Sequence, residues 1–492
     1  MAPAVRHFVD HDYASGGMGN TFCTVVAGLL LASSLDASLL MDASHANRDP
    51  HSVAEVLGMA KGTMERQCGV HCGAGFVVPA TELCGNDHKK ENLNADFTQA
   101  KGTCHGFNAK TPGLPFLDER TVATWRSKLA REPKTVVLQS NQKKPQGKFG
   151  CNICAHSHPH VADVLRARRF AVRPRPAEAP PGRAFCGRSA PAGTLTVGLH
   201  VRRGDCPKWR FVSWHVYHNL LVEIDAALRG LPDGSPAKAR FNGGVSACVV
   251  TENPKQFGAE LAGELKKMPL PQGVSVRVNP AAPPPPKNTP ARRLQHVTHG
   301  QLDDFNALAD DFDVVVDSLS SFVYFAALFS RGVKLMLTWT MPYDHLSCAL
   351  PVRWRRPTMA KGAWTYPENS APLLDATAFA ETLERYAAQP QRATNGTNAH
   401  VPDGSCFDLD RTRMGPYVSP KPGTKPAPGA PFRWVEPPQG AVVSGVDVRG
   451  ADFRPRAPAP LDLPESDLAN WTASPWTRWT STCKAPQAPL RH

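Results

Sequence analysis

Nothing between Met1 and Asp12 is apolar for long enough to serve as a signal peptide or a membrane anchor. A strand signal already begins at Arg6, as if a preceding stem had been lost, so two readings stay open. Either the protein is cytosolic, or its membrane anchor is not part of this chain; we favour the second. The basic clusters lack a finger, zipper or RNA-binding signature: Arg166, Arg168, Arg169, Arg173 and Arg175 lead into a proline-rich stretch, and Arg353, Arg355 and Arg356 form a short run. Acids are also in the minority, with Lys+Arg 56 against Asp+Glu 43 and a formal net charge of +13. Without a recognition motif that excess reads as a solvated basic surface, which argues against nucleic acid as a partner, although a basic cleft would suit a diphosphate. Internal repeats are missing as well. Cys151-x-x-Cys154 with His156, His158 and His160 has the ligand types of a zinc site but not the spacing of a finger, leaving a disulfide, free thiols or a surface loop, and no metal is expected.

What is present is a chain of 492 residues, too long for one ordinary domain, with a hydrophobic fraction of 41% that can build a large core. Its 47 prolines gather into stretches that mark linkers and tails. Thirteen cysteines and the sequons Asn395-Gly396-Thr397 and Asn470-Trp471-Thr472 point to the Golgi or another secretory lumen, with the cytoplasm as the alternative.

His7 to Tyr13 reads as a strand, Ala14 to Asn20 as a glycine-rich turn, Thr21 to Ser34 as a buried helix and Ser38 to Met41 as a second parallel strand, a βαβ opening. From Glu55 to Ala155 only one strand, Thr135 to Gln139, is legible. Pro174 to Pro191 reads as a linker. Beyond it, strands at Thr194–Val201, Ala247–Thr251, Val274–Val278, Asp313–Asp317 and Val333–Leu337 alternate with helices at Trp214–Arg229, Pro254–Lys267, Gln301–Ala309 and Phe322–Ser330. This is the pattern of a doubly wound α/β sheet. Pro280 to Pro286 is a proline-rich loop, and beyond about Pro390 the chain turns rich in Pro and Gly. The expected organisation is residues 1–173, a linker at 174–192, a second domain at 193–389 and an extension at 390–492.

The most specific chemistry lies in His200-Val201-Arg202-Arg203-Gly204-Asp205, at the C-terminal end of a strand, where open α/β sheets bind ligands. Guanidinium forks pair with phosphate oxygens, and alternation along a strand would turn one arginine to the phosphate and the other against a carboxylate. Ser320 and Ser321 stand ahead of an apolar helix, where they either cap it or present it to an anion. Gly17 and Gly19 belong to a glycine turn that needs no ligand on its own account.

The hexapeptide resembles the His-x-Arg-Arg-x-Asp motif of the fucosyltransferase superfamily that makes alpha-1,2, alpha-1,6 and protein O-fucose linkages. Gly16-Gly17-Met18-Gly19-Asn20, with the apolar helix and Leu39-Leu40-Met41-Asp42 after it, is similar to the opening of alpha-1,2-fucosyltransferases, and Asp313 to Ala327 is similar to that family's strand, Ser-Ser-Phe turn and aromatic helix. The resemblance covers roughly residues 6–42 and 194–337. It implies a GT-B architecture, two Rossmann-like domains facing across a cleft, the first on the acceptor side and the second binding the donor. It implies fucosyl transfer with inversion from GDP-fucose to a glycan or protein-linked hydroxyl, with no metal and no cofactor beyond the donor. Arg203 would bind the β-phosphate, Arg202 would support it, His200 would lie near the guanine or ribose, and Asp205 would anchor the loop. Ser320, Ser321 and Phe322 would meet the phosphates, and Gly17, Gly19 and Asn20 would approach from the other domain. Some relatives place a Glu soon after the arginines. Here Cys206-Pro207-Lys208-Trp209-Arg210 follows and the next acid is Glu223, deep in a helix, so Asp12 is the candidate base, unless it only caps the glycine turn. The alternative is a module of the same fold that binds a sugar nucleotide or glycan without turnover.

Overall fold

The computed structural model describes residues 7–11, 17–41, 53–57, 77–79, 88–93, 95–96, 98–99, 115–117, 119–140, 165, 186–187, 189–202, 212–252, 254–280, 300–318, 320–337, 346–354, 358–360, 363–365, 372–389, 406, 442–443 and 446–447. Two parallel sheets dominate it. In the first, β1 (Phe8–His11) pairs with β2 (Ser38–Met41) and with β7 (Thr135–Ser140), and β3 (Val77–Pro79) and β4 (His88–Asn92) complete the order β3-β2-β1-β7-β4. The helix α1 (Met18–Ser34) crosses from β1 to β2, and α3 (Glu119–Ala130) leads into β7. A one-turn helix, α2, spans Val53–Val56, and β5 (Thr98–Gln99) pairs with β6 (Pro115–Phe116).

The second sheet contains β8 (Leu195–His200), β9 (Val245–Val250), β10 (Val274–Val278), β11 (Val314–Val316), β12 (Val333–Leu337) and β13 (Ala349–Val352), in the order β10-β9-β8-β11-β12-β13. That is the doubly wound order in which strand direction of travel reverses beside the first strand, so the switch point lies between β8 and β11. Helices α4 (Trp214–Arg229), α5 (Pro236–Arg240), α6 (Pro254–Lys267), α7 (Gln301–Asp310), α8 (Ser321–Phe329) and α9 (Ala376–Ala387) belong to this half. The α/β class with two parallel, Rossmann-like sheets is therefore as the sequence led us to expect. Small antiparallel pairs join β14 (Thr358–Ala360) to β15 (Ala363–Thr365) and β16 (Val442–Val443) to β17 (Val446–Asp447).

Two cores form. One face of the second sheet packs under α4, α6 and α9, through Leu195, Val197, Leu199, Tyr217, Phe257 and Phe379. The other core is shared by both sheets: Val9, Phe22, Val25 and Leu138 of the first half lie in one apolar cluster with Phe305, Phe325 and Phe329 of the second. Phe22 is the hinge pin of that contact, its ring centroid 4.8 Å from Phe325, 5.2 Å from Phe305 and 6.0 Å from Phe329. Helix α8 is buried all round from Phe322 to Phe329, which fits a run with no polar face.

Disulfides join Cys186 to Cys248 and Cys348 to Cys406, with Cα atoms 5.6 and 4.9 Å apart. The first ties the proline-rich stretch to β9, and Arg277 of β10 donates to the Cys186 carbonyl at 2.8 Å and to Ser189 Oγ at 3.1 Å. The second ties Cys406, from the stretch beyond 390, to the start of β13. Lys334, fully buried in β12, donates from Nζ to the carbonyls of Ser347 at 3.0 Å and of Cys406. Two disulfides are compatible with a secretory or lumenal location. Among the described residues no helix is long and apolar enough to cross a membrane. The Cys151–His160 cluster lies outside the described residues.

Candidate functional site

The switch point gathers several of the expected residues. His200 closes β8, and its imidazole is 4% exposed. Nδ1 shares a hydrogen bond with the hydroxyl of Ser318, just beyond β11. Tyr217 of α4 donates its hydroxyl to the His200 carbonyl at 2.9 Å, and the Phe322 ring lies 5.3 Å from the imidazole. One side chain thus links β8, the turn after β11 and α8. Burial, helped by the neighbouring Arg202 guanidinium, pushes the His200 pKa down to about 3, so the imidazole is neutral at any ordinary pH.

The turn that follows is locally determined. Asp317 Oδ1 accepts from the Ser318 N–H at 2.7 Å and from the Ser320 N–H at 3.4 Å, the self-bonded turn that aspartate favours. Ser320 then caps α8, its Oγ accepting from Phe322 N at 3.3 Å. The Ser320 oxygen therefore serves the cap as an acceptor, while its O–H can still donate alongside the first-turn amides of α8.

The sequence placed Met18, Gly19 and Asn20 in the glycine turn. They belong instead to α1, which starts at Met18, with Thr21 N–H bonded to the Gly17 carbonyl at 3.1 Å. The helix reaches back over Gly19 because its missing side chain leaves room for the start of α8: a Cβ there would lie 2.5 Å from Phe322 N and 2.6 Å from the Ser321 carbonyl carbon. The N-terminal turns of two helices, one from each sheet, meet at this point.

The chain is similar to a solved structure of POFUT1 in complex with GDP-fucose, at 12% identity over 66% of this chain and 95% of that one, with a TM-score of 0.31. No protein-family model matches the chain, and no curated protein matches it in sequence.

Of the expected site residues, the structure brings together Gly19, His200, Ser320, Ser321 and Phe322, places Gly17 just before α1, and sets Arg202, half-buried, beside His200. Arg203, Asp205 and Asp12 lie outside the described residues, as does the side chain of Asn20. Glu223 has a structural duty: Oε1 accepts from Leu373 N at 3.0 Å and Oε2 from Leu374 N at 2.7 Å. Ser318 and Tyr217 were not singled out by sequence. Ser318 sits inside the motif strand-turn, but Tyr217 is one residue of an amphipathic helix and carries no local signal.

Proposed function

We propose that the chain is a glycosyltransferase that uses a nucleotide-linked sugar, with GDP-fucose as donor and a glycan or protein-linked hydroxyl as acceptor. The meeting of α1 and α8 carries this reading. Neither helix has an acidic residue in its first turn. Two positive helix ends brought into contact favour an anion beside them, and a pyrophosphate has oxygens enough to reach both. Arg202 and Arg203 would add guanidinium forks from the end of β8.

In the reaction the acceptor oxygen attacks the anomeric carbon, the bond from that carbon to the β-phosphate oxygen breaks, and GDP departs with the electron pair. Fixed cations and helix amides meet the charge that develops, so no metal need take part. The acceptor proton goes to a base, for which Asp12 is the candidate. On this reading the molecule is of the GT-B type, with residues 1–173 on the acceptor side and 193–389 on the donor side. A Golgi location would suit the two disulfides and the sequons.

Thermal unfolding with GDP, UDP, CMP and ADP tests the donor, since a tight ligand raises the melting temperature by mass action. GDP release from GDP-fucose over a panel of glycan acceptors, wild type against Arg203→Ala and Arg202→Ala, tests the chemistry. Nucleotide binding without turnover on any acceptor returns the non-catalytic module; absence of both abandons the proposal.

A further inference from the structure

The second sheet parts at a single rung, and side chains hold it open. Val201 N–H donates to the Val250 carbonyl at 2.9 Å, so the end of β8 is still bonded to β9. Asp317 N–H donates to the Leu335 carbonyl at 2.9 Å, so the end of β11 is still bonded to β12. Between β8 and β11 the ladder stops. Peptide groups of successive residues in a strand point to opposite neighbours, so His200, which precedes Val201, turns its carbonyl towards β11. With Val316 level with Leu199, the donor next in line for that carbonyl is the Ser318 N–H. Each of the two groups is taken by a side chain instead. Asp317 Oδ1 accepts from Ser318 N–H at 2.7 Å, and the His200 carbonyl accepts from the Tyr217 hydroxyl at 2.9 Å.

The parting is braced from both faces. Tyr217 is fully buried in the apolar cluster under α4 with Leu199 and Val201, and its hydroxyl enters from that side. The His200 side chain alternates to the opposite face, where Nδ1 and Ser318 Oγ share the hydrogen bond that spans the same gap. Arg202 lies two residues beyond His200, and Ser321, the first residue of α8, three beyond Ser318. The width of the gap therefore sets the spacing between a guanidinium and the amides of a helix start. We propose that Tyr217 and Ser318 are positioning residues, which keep β8 and β11 apart so that a pyrophosphate fits between Arg202 and the first turn of α8. Both are buried and act through the backbone. This rests on the nucleotide-sugar reading above.

Tyr217→Phe removes only the hydroxyl, and an unsatisfied His200 carbonyl would then draw in the Ser318 N–H and close the rung. Ser318→Ala removes the brace on the other face. Tyr386→Phe is the control, because its hydroxyl donates to Asp313 Oδ1 at 2.8 Å beside the other end of β11. Affinities for GDP and GMP are measured by calorimetry for wild type and the three variants, with the melting temperature of each. Wild type should prefer GDP to GMP by about tenfold or more, since the second phosphate adds charged oxygens for the guanidinium and the helix amides. Tyr217→Phe and Ser318→Ala should lose most of that preference by weakening for GDP, while Tyr386→Phe keeps it at whatever cost in melting temperature. A preference that survives in either gap variant overturns the proposal, and so does an equal loss in Tyr386→Phe, which would trace the effect to stability alone. Wild type that binds GDP no better than GMP sinks the positioning role and leaves the nucleotide reading standing; wild type that binds neither sinks both.

Discussion

Gly19 lies against the first turn of α8 so closely that a methyl group in place of its hydrogen would stand 2.5 Å from Phe322 N and 2.6 Å from the Ser321 carbonyl carbon. Backbone atoms of a capped helix cannot step aside as the tip of a side chain can. Gly19→Ala improves helix propensity by about 1 kcal/mol, yet we expect a net loss of about 1 to 3 kcal/mol as the two helices are forced apart. Gly17→Ala is the control, since its Cβ would meet nothing within 4 Å, and should stay within about 0.5 kcal/mol of wild type. Urea unfolding reads both. Nucleotide binding should fall with Gly19→Ala.

Phe22 makes aromatic contacts between the halves. Truncation to alanine empties a space bounded by Phe305, Phe325 and Phe329, and should lower stability by about 3 to 5 kcal/mol. Because the core is shared, the loss should appear as one earlier calorimetric transition. A first half that melts early while the second holds its wild-type temperature would show that the two cores are independent.

Legibility in the sequence followed burial. The central strands β8, β9, β11 and β12 are valine-rich or leucine-rich runs enclosed on both faces, β10 at the edge alternates, and β8 to β12 emerge close to their observed bounds. The middle region hides for the opposite reason. β4 is His-Lys-Lys-Glu-Asn, an edge strand whose place comes from pairing with β7, and α3 carries Val122, Trp125 and Leu129 at helical spacing among charged neighbours. At the site, the His200 and Ser320–Phe322 motifs could be read. The contact of Gly19 with α8 could not, since it depends on residues far away in the chain.

Glu223 is the first acid after the His200–Asp205 motif. Its two oxygens accept from Leu373 N at 3.0 Å and Leu374 N at 2.7 Å, fixing the approach to α9. Charge-assisted bonds of this kind contribute more than neutral ones, so Glu223→Ala should lose about 2 to 4 kcal/mol. Glu223→Gln keeps one acceptor and should lose less, with turnover per folded molecule unchanged. A large fall in turnover for a well-folded Glu223→Gln would move this residue into the chemistry.

The neutral imidazole of His200 makes the protein sensitive to acid in a definite window. Folded, the group titrates at about 3, against an ordinary 6.5 in the unfolded chain. Between those values the unfolded chain takes up a proton that the folded one refuses, so this contribution to stability is complete above pH 6.5 and is lost as pH falls towards 3. The slope from one such group reaches about 1.4 kcal/mol per pH unit. His7, lowered by burial as well, adds to the same window. His200→Asn should be less stable than wild type at neutral pH, because the Ser318 and Phe322 contacts change, but its stability should decline more gently on acidification. Urea midpoints for both proteins across that range decide the matter. Parallel curves for the two proteins would mean that the imidazole takes up its proton as readily in the folded protein as in the unfolded chain.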